Sequence, residues 1–223
     1  MTSISGASLQ TIGDAFRLEN VQILSTLNFP QLSEVGSVEW TGLPNLQGLS
    51  FTTGLQQASS LTIINTGLTS LDGINLESVD TFVVTNNNYL NSISMQVSSI
   101  SDRIQLAANG REVQAEFPNL EWAYNITIAN VSSVSMPSLS AVNGSLGFYS
   151  NFLENVAAPN LTNVGGGLAF VANSDLTNAS FPELTTISGG LLIANNTAFE
   201  EITGFPSLTR VGGAVDISGN FTQ

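Results

Sequence analysis

The chain has no cysteine, no histidine and no lysine among its 223 residues, and its only cations are Arg17, Arg103, Arg111 and Arg210. Without histidine or cysteine it can build no Ser-His or Cys-His nucleophile system and few zinc sites, and it has no imidazole to titrate near neutral pH. Disulfides and thiol chemistry are excluded as well, although this does not fix the compartment. Against the arginines stand 17 acids, for a formal net charge of −13. A phosphate-binding surface needs clustered Lys and Arg, so nucleic acid is excluded as a partner, and the same lack argues against docking on anionic lipid headgroups. Charge of either sign is scarce, at 9% of residues against about a quarter in an average protein. The surface must therefore be solvated by Ser, Thr and Asn. No apolar run reaches the roughly 18 residues a membrane span requires. The start, Met1-Thr-Ser-Ile-Ser-Gly6, has neither the basic nor the apolar segment of a secretion signal. Read literally, the chain is soluble and unexported.

What is present is core-forming material arranged in a repeat. Hydrophobic residues make up 42% of the chain, far from the composition of disorder, and the length suits one sizeable core or two small ones. All seven prolines fall in one motif, apolar-Pro-x-Leu, at Pro30, Pro44, Pro118, Pro137, Pro159, Pro182 and Pro206. From Pro118 onward the steps are 19, 22, 23 and 24 residues, a solenoid period. After each motif come a Val or Ile, a Gly-rich turn, a short alternating strand and an Asn. Leu161-Thr-Asn-Val164-Gly-Gly-Gly-Leu168-Ala-Phe170-Val-Ala-Asn173 is one copy, and Leu184 to Asn196 and Leu208 to Asn220 are others. The first half keeps the strand core in Phe16-Arg-Leu18, Val38-Glu-Trp40, Leu61-Thr-Ile63, Phe82-Val-Val84 and Ile104-Gln-Leu106.

A single short strand cannot bury its inner face alone. Stacked as parallel strands about 4.8 Å apart, the repeats bury a continuous core, with Leu146, Phe148, Leu168, Phe170, Leu191 and Ile193 inside. The expected fold is all-β, a parallel β-helix of about ten rungs. Proline is expected to open a straight segment, and glycine to take the corner. Asn87, Asn109, Asn151, Asn173, Asn196 and Asn220 leave the strands in register and are expected to satisfy the backbone of the neighbouring turn. Residues 1–223 read as one β-solenoid domain, and both ends are abrupt, which reads as a fragment lacking its end caps.

Leu27-Asn-Phe29-Pro30-Gln-Leu32, Asn143-Gly-Ser-Leu146-Gly-Phe148-Tyr149, Gly167 to Asn178 and Gly212 to Phe221 together resemble the fungal glycolipid-anchored (GPI) cell-wall organisation proteins. The resemblance runs from about Leu9 to Phe221. It implies a receptor L-domain-like, right-handed, leucine-rich β-helix. It also implies an extracellular, glycosylated, non-enzymatic protein needed for cell-wall integrity, held at the cell wall or the outer face of the plasma membrane. The family's secretion signal, flanking cysteines, Ser-rich stalk and hydrophobic anchor-addition tail are absent from this sequence, so the membrane is reached only through a lipid anchor that the chain does not itself contain.

Seven N-glycosylation sequons occur, at Asn125, Asn130, Asn143, Asn160, Asn178, Asn195 and Asn220. Asn143, Asn160 and Asn178 fall at expected turns and, with Asn125, are the preferred sites. Carboxylates are the only conventional catalytic groups left, and β-helices include polysaccharide hydrolases and lyases that work through clustered acids. Here there is no Asp-Asp pair, and Glu200-Glu201 falls at an expected turn. Neither catalysis nor a cofactor is expected.

Outward strand positions carry Arg17, Glu39, Thr62 and Gln105 in the first half. In the second half they become Gly147, Ala169 and Leu192 in one column and Ala107, Ala129, Tyr149, Val171 and Ala194 in the other. Small residues there are either tolerated or covered by loops, or they form a contact surface on which Tyr149, Ala169, Val171 and Leu192 meet a cell-wall polysaccharide or wall protein. The reading is a surface-displayed cell-wall protein acting without catalysis. The alternatives are a ligand-binding receptor-like module and a polysaccharide-active β-helix enzyme.

Overall fold

The computed structural model describes residues 2–219 and 221, and among these there is no helix. The chain winds into a parallel β-solenoid of about ten rungs, with three faces per rung. In the clearest rung, face A is Ala141–Val142, face B is Leu146–Tyr149 and face C is Asn155–Ala157. In the first half, faces A and B are one bent strand, as in Thr11–Glu19 and Ser99–Ala107, with an irregularity between Ile12 and Ala15 and between Ile100 and Arg103. In the second half that bend becomes a Gly-rich corner. There, a β-carbon on Gly189 would sit 2.6 Å from the carbonyl carbon of Gly166 in the rung below, so only glycine fits.

Register is strict along the axis. Leu146, Leu168, Leu191 and Val215 pair in succession, as do Phe148, Phe170, Ile193 and Ile217. The six residues expected inside are all buried. Phe148 and Phe170 stack with centroids 5.2 Å apart, and Phe170 meets Phe181 edge-on at 5.7 Å.

The prolines lie elsewhere than expected. In each motif the N–H of the Leu donates to the carbonyl of the apolar residue before Pro, for example Leu161 to Ala158 at 3.2 Å and Leu46 to Leu43 at 3.0 Å. That is a β-turn with Pro at its second position. The motif is therefore the corner between faces C and A and not the start of a straight segment. The ring's fixed φ suits that turn position, and the missing N–H falls where the turn needs none.

The corner between faces B and C is marked by a left-handed residue in every rung up to Asn195. Asn20, Gly42, Asn65, Asn86, Ala108, Asn130, Ser150, Ala172 and Asn195 have φ between 51° and 69°. In five of these rungs the next residue is one of the expected asparagine column, and these five, Asn87, Asn109, Asn151, Asn173 and Asn196, are buried. Each Oδ1 accepts the backbone N–H of the rung before it, as in Asn151 N–H to Asn173 Oδ1 at 3.0 Å and Asn173 N–H to Asn196 Oδ1 at 2.9 Å. Each Nδ2 donates to a carbonyl in the preceding rung, as in Asn173 to Phe148 and Asn196 to Phe170. Val131 interrupts the column, and there Asn130 Oδ1 accepts from the Ala108 N–H at 3.0 Å. Asn220 lies outside the described residues.

Outside the core, hydroxyls stitch the rungs together. Ser140 donates to the Glu121 carbonyl, Thr162 to Ser140, Thr185 to Thr162 and Thr209 to Thr185, at 2.9 to 3.1 Å. A surface poor in charge is thus rich in inter-rung hydrogen bonds.

Candidate functional site

Period-2 alternation on face B sends one side chain of each pair into the core and the next outward. The outward positions form two columns in register. One runs Arg17, Glu39, Thr62, Val83, Gln105, Thr127, Gly147, Ala169, Leu192 and Asp216. The other includes Glu19, Thr41, Ile64 and Thr85 at one end and Ala129, Tyr149, Val171, Ala194 and Ser218 at the other.

The four patch residues meet on this face. Tyr149 pairs Val171, Ala169 pairs Leu192, and Gly147 pairs Ala169. Ala169, Val171 and Leu192 are half-buried, and Tyr149 is 37% exposed. Gly147 is buried because the Tyr149 ring folds over it, in space that any β-carbon would occupy. The ring therefore lies along the sheet. Beside it a shallow depression of about 340 Å³ crosses several rungs, lined by Ser145, Tyr149, Ala169, Leu192, Ala214 and Asp216. Sequence reasoning missed Ser145 and Asp216, its polar margin. Ser145 sits where the next two rungs carry Gly167 and Gly190, and Asp216 follows Ala169 and Leu192 in its column, so nothing in the pattern singled them out.

The charged ends of the face are also defined. At one end Arg17 Nε donates to Glu39 Oε2 at 2.7 Å, and at the other stands Asp216. Between the Glu39 and Asp216 rungs, no outward column position named above carries a charge.

The sequons lie at the margins of face B and beyond it. Asn143 is exposed at the corner between A and B. Asn125 is half-buried at the equivalent bend, where its Oδ1 accepts the Ser145 N–H at 2.9 Å. Asn160 is exposed at a proline corner, with Nδ2 donating to the Pro137 carbonyl at 2.8 Å. Asn178 is exposed too, but it opens the face C strand Asn178–Ser180 and not a turn, because its neighbour Ala179 points inward. Asn130 and Asn195 are the left-handed residues of their rungs. Asn195 is exposed, a feature that its strand-exit position did not announce. The sequon at Asn220 lies outside the described residues.

The acid pair of the sequence, Glu200 and Glu201, is exposed and outside the strands, beside an open depression also lined by Thr177 and Thr203. Among the described residues there is no cluster of three or more potential metal ligands, and no helix is long and apolar enough to cross a membrane.

No family model and no solved structure matches the chain. Curated proteins do. The chain is 46% identical over 222 residues to a "Cell surface GPI-anchored protein" of Arthroderma benhamiae, covering 99% of this chain and 57% of that protein. It is 44% identical to "Protein ecm33" of Aspergillus fumigatus, covering 100% of this chain and 56% of the relative, and 38% identical to "Cell wall mannoprotein PST1" of Saccharomyces cerevisiae, covering 100% and 50%. The chain thus spans a little over half the length of the first two. Similarity at this level runs through all the rungs, and it sets them beside fungal proteins of the cell surface and cell wall, GPI-anchored ones among them.

Proposed function

We propose that the chain is the β-solenoid of a non-enzymatic, surface-displayed protein needed for the organisation and integrity of the fungal cell wall. The observation that carries the reading is the combination of wall-protein relatives over the whole chain with a surface that offers an uncharged sheet face in place of clustered acids. Glu200 and Glu201, the only adjacent carboxylates, have no histidine or lysine in the chain to work with. A general acid-base pair is commonly assisted by such groups or by burial that shifts its pKa. The chain carries N-glycans at Asn143, Asn160 and Asn178, with Asn125 next. All three leading sites are exposed.

The test is a deletion strain complemented with variants of the full-length gene. Loss of the gene is expected to sensitise cells to wall-binding dyes. Glu200→Gln with Glu201→Gln is expected to restore resistance fully. A strain without wall defects would overturn the wall reading, and failure of the double amide variant, with normal secretion, would overturn the non-enzymatic one.

A further inference from the structure

We propose that face B binds a neutral, extended polysaccharide laid along the solenoid axis, with the Tyr149 ring as its stacking platform. This names the ligand class of the surface-contact role inferred above and rests on that reading.

Charge is the first argument. In a chain of net charge −13, the outward columns of face B lose all charge between the Arg17–Glu39 pair and Asp216. An anionic polymer would find no cation in these two columns, only Arg103 beside them in an ion pair with Asp102, and a cationic one no unpaired acid until Asp216. A neutral chain bearing hydroxyls meets instead Thr62, Gln105 and Thr127 in one column, and Ser145 and Asp216 at the depression.

Size is the second. Seven rungs about 4.8 Å apart and four residues of about 3.3 Å give roughly 450 Å². A stable interface takes about 800 Å² from each partner, so a second copy or a globular protein would be under-buried here. A slender chain one sugar wide is not, because it needs length and little breadth. The rung repeat is close to the length of one pyranose in an extended β-linked chain, so successive sugars can meet equivalent positions.

Relief is the third. Gly147 provides the bed on which the Tyr149 ring lies along the sheet, presenting a face to the C–H groups of a sugar ring. Ala169 and Ala194 keep the path shallow, and Leu192 borders it. No described sequon occupies an outward column of face B, although Asn125, Asn143 and Asn195 stand at its corners. The strip stays bare when its margins are glycosylated.

The experiment measures binding of the purified chain to linear neutral β-glucan oligosaccharides of increasing length, with polygalacturonate as the anionic control. Affinity is expected to rise with length and level off once the ligand spans the strip. Tyr149→Ala should weaken binding by about tenfold, an aromatic contact's worth, and Tyr149→Phe should retain it. Leu192→Glu should also weaken it, with the thermal midpoint of every variant unchanged. Equal binding by Tyr149→Ala, preference for polygalacturonate, or no binding to any neutral oligosaccharide would overturn the proposal. So would a dimer in light scattering that Leu192→Glu dissolves, since the face would then join copies. A chain that binds no oligosaccharide yet restores the deletion strain removes this ligand and leaves the wall function standing.

Discussion

At Ala172 the chain turns through the left-handed region, φ 57°, with a residue that gains nothing from being there. A β-carbon in that region costs roughly 1 kcal/mol or more, which glycine escapes and asparagine reduces. Ala172→Gly should therefore stabilise the chain by about 0.5–1 kcal/mol. A higher urea midpoint at constant slope would establish it, and a lower one would mean that the methyl group packs usefully. One residue on, Asn173 takes the Asn151 N–H and donates to the Phe148 carbonyl in a fully buried column. Asn173→Ala strands both groups, each at about 1–3 kcal/mol, so a loss of about 3 kcal/mol is expected in the same measurement. A loss below about 1 kcal/mol would mean that water replaces the amide. The asparagine column was legible because asparagine recurs in register and suits such bonds. The left-handed column was legible only in part: Asn or Gly holds six of its nine positions, but Ala108, Ser150 and Ala172 carry no signal for that conformation.

Among the elements, face B was the most legible, because two inward side chains per strand make a period-2 signal that repeats in every rung. Face C was not read at all. Ser92–Ser94 and Ser133–Ser135 have one inward residue each, Ile93 and Val134, and a single apolar residue between two serines has no periodicity to detect. That is why Asn178 was assigned to a turn. The prolines were found but misplaced, since their fixed φ suits a straight start and a turn alike. The weight of the core falls on face B's inward residues. Phe170 touches Phe148, Phe181 and Phe205, and Phe170→Ala should cost about 3–5 kcal/mol. A cost below about 1 kcal/mol would contradict the register. Gly189→Ala tests the corner between A and B, where the new methyl meets rigid backbone of the rung below. It should lower the thermal midpoint, whereas Gly13→Ala, with open space around it, should not clash.

At the scale of the whole molecule, each rung touches only its neighbours, so stability is a sum of stacked contacts and long-range electrostatics acts along the entire rod. The balance of that electrostatics is one-sided. Two ion pairs join acids to arginines among the described residues, Arg17 with Glu39 and Arg103 with Asp102. Both lie on the surface, where such pairs are worth about 0.2–1 kcal/mol and are screened by salt. Against them stands the self-repulsion of a net charge of −13, spread over a chain whose unfolded form can move its acids apart. Screening weakens both terms, but the repulsion sums over many more pairs, and at about 0.15 M salt the Debye length is already down to about 8 Å. Moving from very low salt to about 0.5 M sodium chloride should therefore raise the thermal midpoint by about 2–4 °C, the shift that about 1 kcal/mol produces in a chain of this size. Chloride is the right anion, because sulfate would stabilise burial by its own exclusion from the surface. A midpoint that falls with sodium chloride would show that the two ion pairs outweigh the repulsion. In that case Glu39→Gln should remove most of the fall, since it dismantles the Arg17 pair and lowers the net charge together.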